Sequence, residues 1–240
     1  MPFSKKTLDF LFENRLHDSR EWFHEHNDEY RRFVLEPLKE LTIALTPAML
    51  NIDSRFVTEP RVDKTICRIW RDTRYSKDPS LYRDTMWIIF KRDRMHTTEY
   101  PGLHFEITPD GFNYGGGFYC ASTSFMNRMR AMILEHDPDF ERAKKAFKAD
   151  HRFLMEGDCF KRPRYSDQPE ELQQWLERRN ISFCADSKDF SLLFSNQLSG
   201  YLSEAFETTM APIYHFLIKV ALLEKQEAAA KEQRQRAINW

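Results

Sequence analysis

One stretch of the chain concentrates side chains that could do chemistry. It reads Arg68-Ile69-Trp70-Arg71-Asp72-Thr73-Arg74-Tyr75-Ser76-Lys77-Asp78, with Tyr82 and Arg83 close behind. A guanidinium presents a planar fork that matches a carboxylate or a phosphate, and aromatic faces stack on bases or on other guanidinium groups. The functional expectation is an anion pocket. Arg71 and Arg74 clamp a small anionic or phosphorylated ligand, with Arg68 beside them. Lys77 adds a mobile charge, and Tyr75 or Tyr82 stacks on the organic part. The same residues allow a purely architectural reading, in which Asp72 and Asp78 neutralise the arginines and lock the loop. Both readings stand at this point.

Further along, Gly115-Gly116-Gly117 takes three of only seven glycines in the chain, shortly before a helix expected from residue 122. A strand without side chains lets a ligand approach the backbone near a helix N-terminus, where free N–H groups favour anions. The structural alternative, a bulge or close packing of backbone, is favoured. The run is no phosphate-binding loop of the Gly-Lys-Ser/Thr type. His104 and Glu106 alternate on one strand face and would be the acid or base if binding is accompanied by catalysis, against the simpler reading of a solvated face. His24 and His26 are two apart on a helix and so point to different faces, which makes a poor metal pair. Ser76 and Ser122 lack a nucleophile-elbow context. No metal and no cofactor is expected, and the residues name no reaction.

Net charge is −1, yet residues 61 to 94 hold ten Lys or Arg against five Asp, a local +5 that leaves −6 elsewhere. A near-neutral total argues against strong non-specific binding to nucleic acid without excluding it. The interleaved Trp70, Tyr75 and Tyr82 keep a single-stranded nucleic acid among the alternatives. A protein-interaction or scaffold role, with a purely structural Arg–Asp network, is the third reading. The four cysteines are scattered without a C-x-x-C pair, which fits reduced thiols. The first residues, MPFSKKTLDFLFENR, hold no secretory apolar run, and no apolar stretch is long enough to span a bilayer. The cytoplasm is the expected compartment, with no membrane partner, and nothing in the sequence sets an oligomeric state.

The elements that must position these residues follow from periodicity. Residues 4 to 50 read as helix, with Asp18 and Glu21 fitting a capping box and Pro37 kinking or breaking the run. Four strands are expected at 64–71, 86–91, 103–107 and 112–119. The second, apolar on both faces, is expected in the centre of the sheet. Thr108-Pro109-Asp110-Gly111 should close an antiparallel hairpin. Helices follow at 122–149, with Ser122, Thr123 or Ser124 as N-cap and Pro138 opening a second segment, then near 169–179 and from 195 to 224. Together these predict an α+β fold, a central, mainly antiparallel sheet of four to six strands flanked by N-terminal and C-terminal helices. The expected organisation is a single domain over residues 1–224 and a charged helical extension or tail over 225–240.

The segment Arg68 to Asp78 resembles the signature R-[IL]-[YW]-R-D-T-R-[FY]-S-K-D of a widespread family of conserved hypothetical proteins, a domain of unknown function. The likeness runs over roughly residues 3 to 222. It takes in Arg20-Glu21-Trp22-Phe23, then Gly115-Gly116-Gly117-Phe118-Tyr119 leading to Arg130, and Lys161-Arg162-Pro163-Arg164-Tyr165. The family's Gly near residue 163 is missing here, which puts a tight turn there in question. The resemblance implies a compact α+β fold and no particular activity. With it, the candidate ligand-binding set is Arg68, Arg71, Arg74, Lys77 and Tyr82 from the motif, joined by Gly116, Tyr119 and Arg130 from the second matched block.

Overall fold

The computed structural model of the chain describes residues 3–75, 78–92, 94 and 98–238. Helix α1 (Lys5–His17) ends on Asp18, whose φ of 47° turns the chain, and Ser19 then caps α2 (Arg20–Glu25) by accepting from the backbone N–H of Trp22 at 3.3 Å. The expected cap at Asp18 is thus one residue out, and Asp18 is free for another task described below. Helix α3 (Asn27–Tyr30) runs through a π-turn at Arg31–Leu35 into α4 (Glu36–Ile52). Pro37 causes that wider turn. It has no N–H to give the carbonyl of Phe33 four residues back. The freed carbonyl accepts from the hydroxyl of Thr7 at 2.7 Å instead, tying α1 to the turn. The helical run expected to kink or break at Pro37 therefore absorbs it.

Strands β1 (Met86–Lys91), β2 (Gly102–Thr108) and β3 (Gly111–Gly117) come next, β2 and β3 joined by the expected Pro109-Asp110 turn. Helix α5 (Thr123–Leu134) starts at Ser122, whose hydroxyl accepts from Phe125 N at 3.0 Å. Helix α6 (Pro138–Ala149) starts at Asp137 with Pro138 in its first turn. The short β4 (Leu154–Glu156), α7 (Glu170–Leu176) and β5 (Ser182–Ser187) follow. Helices α8 (Phe190–Leu193) and α9 (Leu198–Ala205), a π-turn at Phe206–Met210 and the long α10 (Ala211–Ile238) complete the order.

The five strands form one antiparallel sheet in the order β1-β2-β3-β5-β4, so the α+β class expected from the sequence holds. Two strands differ from expectation. Residues 64–71 make only isolated bridges, Ile66 to Ile88 and Trp70 to Tyr82, because the segment pairs first with β1 and then with 81–83 and never long enough with either to be a strand. β1 stands at the end of the sheet order rather than in its centre. Its outer edge is covered by the same segment, through Cys67 N to Trp87 O at 3.0 Å and Ile89 N to Thr65 O at 2.8 Å. That cover pairs the backbone of an end strand, while its burial alternates, with Trp87 and Ile89 on the less buried face.

The chain divides into two compact units. The first is Met1–His96, Leu103–Gly115 and Ala185–Glu207; the second is Thr97–Gly102, Gly116–Cys184 and Thr208–Trp240. The first unit buries Leu38, Leu45 and Met49 of α4 with Ile88, Phe90, Phe105 and Tyr114 of the strands. Rings chain through it, from Phe3 stacked on Phe105 to Phe112, Tyr114 and Phe206. The second unit is built on an aromatic cluster of Phe140, Phe147, Trp175, Phe183 and Phe216. There Lys219 of α10 reaches both Asp137 at 2.7 Å and Asp139 at 2.8 Å, the two carboxylates that suit the positive N-terminal end of the α6 dipole. No helix among the described residues is long and apolar enough to cross a membrane.

Candidate functional site

In the first unit the motif's backbone forms two short ladders. Residues 65–67 lie along β1, and then Arg71 N donates to Leu81 O at 2.8 Å while Arg83 N donates to Ile69 O at 2.9 Å. The loop between is held by side chains of α1. Asp18 accepts from the backbone N–H groups of Leu81 and Tyr82 at 2.8 and 3.1 Å. Arg15 donates to Tyr82 O at 3.2 Å and to Asp78 at 2.6 Å. Tyr82 is fully buried, its ring 4.3 Å from Trp70 and 5.0 Å from Phe23. Burial pushes its hydroxyl up to about 12.

The motif's arginines have carboxylate partners. Arg68 pairs with Asp63 at 2.5 Å, on the exposed surface. Arg74 forks onto Asp72 at 2.7 and 2.9 Å, and these hydrogen bonds bring Asp72 down to about 2. Arg71 is half-buried and lies 3.1 Å from Asp78. Asp78 also accepts from the hydroxyl and backbone N–H of Ser80 at 2.5 and 3.0 Å, which with Arg15 holds its carboxyl far below the usual range. Lys77 and Ser76 lie outside the described residues, as does the side chain of Tyr75.

Arg83 differs. Its guanidinium lies 4.5 Å from the centroid of the Trp87 ring, and its buried Nε has no hydrogen-bond partner. Among the described residues no carboxylate pairs with it. On β2 and β3 lies a connected, partly buried polar set: His104 Nε2 lies 3.2 Å from Asn113 Oδ1, and Asn113 Nδ2 donates to Glu106 at 3.0 Å. The alternation that leaves Trp87, His104, Glu106 and Asn113 half-exposed is the period-two pattern of strands with one buried face. Cys67, buried with its thiol pushed up to about 12 chiefly by desolvation, feels both the Arg83 cation and the Glu106 carboxylate.

Desolvation lowers the pKa of His104 and outweighs the Glu106 carboxylate and the Asn113 hydrogen bond, which act the other way. Unfolded imidazole takes its proton near pH ~6.5. Folding then contributes stability from this group that is present above that pH and is lost as pH falls through the lower folded value. The melting temperature should therefore drop between pH 7.5 and 5.5, and His104→Gln, whose amide can still donate to Asn113, should flatten that slope. A slope identical in the variant would remove His104 as its source.

The other expected ligand residues lie in the second unit. Gly116 is buried within β3. At the neighbouring Gly117, with φ 130°, a Cβ would stand 2.6 Å from the Cα of Ser182, so close strand approach accounts for that glycine. Tyr119 is 95% exposed, and its carbonyl accepts from Asn180 at 3.0 Å. Arg130 is buried and donates to Leu176 O at 2.8 Å, to Arg178 O and to Asn127 at 3.0 Å. Desolvation lowers its pKa. The turn left in question by the missing Gly is held by Glu177, which accepts from Arg164 N and Tyr165 N at 2.8 and 2.6 Å.

Reading residues one at a time singled out Arg71 and Arg74, left Arg83 at the edge of the motif without a role and passed over Trp87 and Asn113. Counting nearby acids could not have separated the arginines, since Asp84 adjoins Arg83 just as Asp72 adjoins Arg71. No curated protein matches the chain. The model of a family described as conserved hypothetical protein (DUF2461) matches residues 6–216, and the chain belongs to that family.

Proposed function

We propose that this protein binds a small anionic ligand, bearing a carboxylate or a phosphate, at Arg83. The observation that carries the reading is the state of that guanidinium: half-buried, laid against Trp87 and lacking a carboxylate partner among the described residues, whereas Arg68, Arg71 and Arg74 each have one. A cation out of bulk water without a counter-charge is costly, and a ligand anion with a bidentate edge offsets that cost. Trp87 supplies a stacking face for the ligand's organic part or holds the guanidinium plane in place. Arg71, Asp78 and Arg15 serve in this reading as the frame that sets the loop leading to Arg83. His104 and Glu106 are the acid–base candidates if a reaction follows binding.

The test is a thermal-shift series with phosphate, sulfate, sugar phosphates and simple carboxylates, on the wild type, Arg83→Ala and Arg74→Ala. A ligand at about 100 times its Kd stabilises the fold by about 2.7 kcal/mol. The expected result is an upward shift in wild type and Arg74→Ala that is absent in Arg83→Ala. A shift retained in Arg83→Ala, or none in the wild type with any of these anions, would overturn the reading.

A further inference from the structure

The polar set on β2 and β3 fixes which ring nitrogen of a neutral His104 carries the proton. A carboxylate accepts and does not donate, so the group that Asn113 turns toward Glu106 is its NH2, at 3.0 Å. Its carbonyl oxygen must then face His104, 3.2 Å from Nε2. An oxygen there can only accept, so Nε2 carries the imidazole proton and the lone pair lies on Nδ1. No described residue makes a hydrogen bond to Nδ1. In its neutral form the imidazole is thus a base with its orientation set from behind, in the way an outer partner sets the tautomer of a functional histidine.

We infer that Asn113, itself oriented by Glu106, is a positioning residue that keeps His104 in the Nε2–H form so that Nδ1 accepts an O–H or N–H of the ligand. The ligand class narrows accordingly to an anion that also carries a hydroxyl or amino group. This second half rests on the anion reading of Arg83; the tautomer assignment does not. Arg83 lies on Trp87, and Trp87 of β1 takes the less buried positions of its strand as His104 and Glu106 do on the neighbouring β2, which supports one ligand reaching both ends of the site. If that ligand loses a proton, the proton passes to Nδ1. The resulting imidazolium keeps its Nε2–H bond to Asn113, and no other reactant is needed.

The tautomer is read directly from the ring-nitrogen resonances of 15N-labelled protein, since protonated and bare imidazole nitrogens are well separated. The wild type should show His104 as Nε2–H alone. Asn113→Ala and Glu106→Gln should both give a mixture, the second because a glutamine amide no longer dictates which way Asn113 faces. Glu106→Gln keeps shape and volume, so it serves where Asn113→Ala disturbs the hairpin. An Nδ1–H or averaged signal in the wild type, or a tautomer unmoved in both variants, would sink the positioning role.

The ligand class is tested by calorimetric titration with glycerol 3-phosphate against inorganic phosphate. One added hydrogen bond should make glycerol 3-phosphate bind about threefold to tenfold more tightly. That preference should vanish in Asn113→Ala while phosphate affinity holds. Equal affinities in the wild type overturn the ligand class alone. If neither compound binds, the anion site and the ligand class fall together, and the tautomer result still decides the role of Asn113.

Discussion

Replacing Arg130 with alanine is expected to destabilise the protein by about 3–5 kcal/mol, the range for stripping the partner from buried, hydrogen-bonded groups. The side chain is 4% exposed and its three donor positions serve different acceptors. Nε meets Leu176 O at the end of α7, NH2 meets Arg178 O two residues on, and NH1 meets Asn127 one turn back on α5. Its guanidinium also lies 4.9 Å from the ring of Phe160. Alanine leaves two carbonyls that helix α7 cannot itself satisfy, together with a cavity the size of the lost stem. Lysine should recover only part of the loss, because a single ammonium cannot fork across both carbonyls. Urea denaturation with an unchanged slope and a lower midpoint would be the signature. A cost under about 1 kcal/mol would mean that water replaces the guanidinium without penalty. The arginine singled out as a ligand residue would then be available for one. The energetic argument favours the structural role because each of the three guanidinium nitrogens is already hydrogen-bonded within the protein.

The contrast between Arg130 and Arg83 shows where sequence reading reaches and where it stops. Local chemistry was legible. Ser122 and Pro138 start α5 and α6 because capping and the lost proline N–H act within one turn. The turn at Pro109-Asp110 closes its hairpin for an equally local reason. The alternation of His104 and Glu106 on β2 was readable from spacing alone. What stayed hidden depends on contacts far apart in the chain. The acid that neutralises Arg71 also engages Arg15, 63 residues earlier, and no spacing rule announces such a pair. Asn113 follows a turn glycine closely and looks like loop chemistry until the hairpin lays it beside His104. β4 is three residues long with two of them exposed, too short for an alternating pattern to stand out. Residues 64–71 carry strand-forming side chains yet divide their backbone between two partners. Charge type was visible in the sequence, and charge pairing, which separates an anion site from a structural network, was not.

Asp18 offers the sharpest test of how α1 holds the functional loop. Its carboxylate accepts from two backbone N–H groups, Leu81 and Tyr82, and its own backbone sits at φ 47°. Removing a charged acceptor from partly buried donors costs up to about 1.5–3 kcal/mol for each bond, discounted here because the site is half-exposed. Asp18→Ala should therefore lose about 2–3 kcal/mol, part of it from placing alanine in the left-handed region. Asp18→Gly removes the acceptor but relaxes that backbone, so it should be about 1 kcal/mol less harmful than alanine. Asp18→Asn keeps one acceptor oxygen and tolerates the conformation, and should cost least. Hydrogen exchange at the amides of Leu81 and Tyr82 separates the two contributions. Protection should vanish in the alanine and glycine variants and persist in asparagine. Because Arg83 directly follows Tyr82, slack in the loop should also weaken anion binding in the order alanine and glycine before asparagine, even though Asp18 lies on a different element from Arg83. If protection and binding survive all three substitutions, α1 does not hold the loop, and the frame that sets Arg83 must be the Arg15–Asp78–Arg71 network alone.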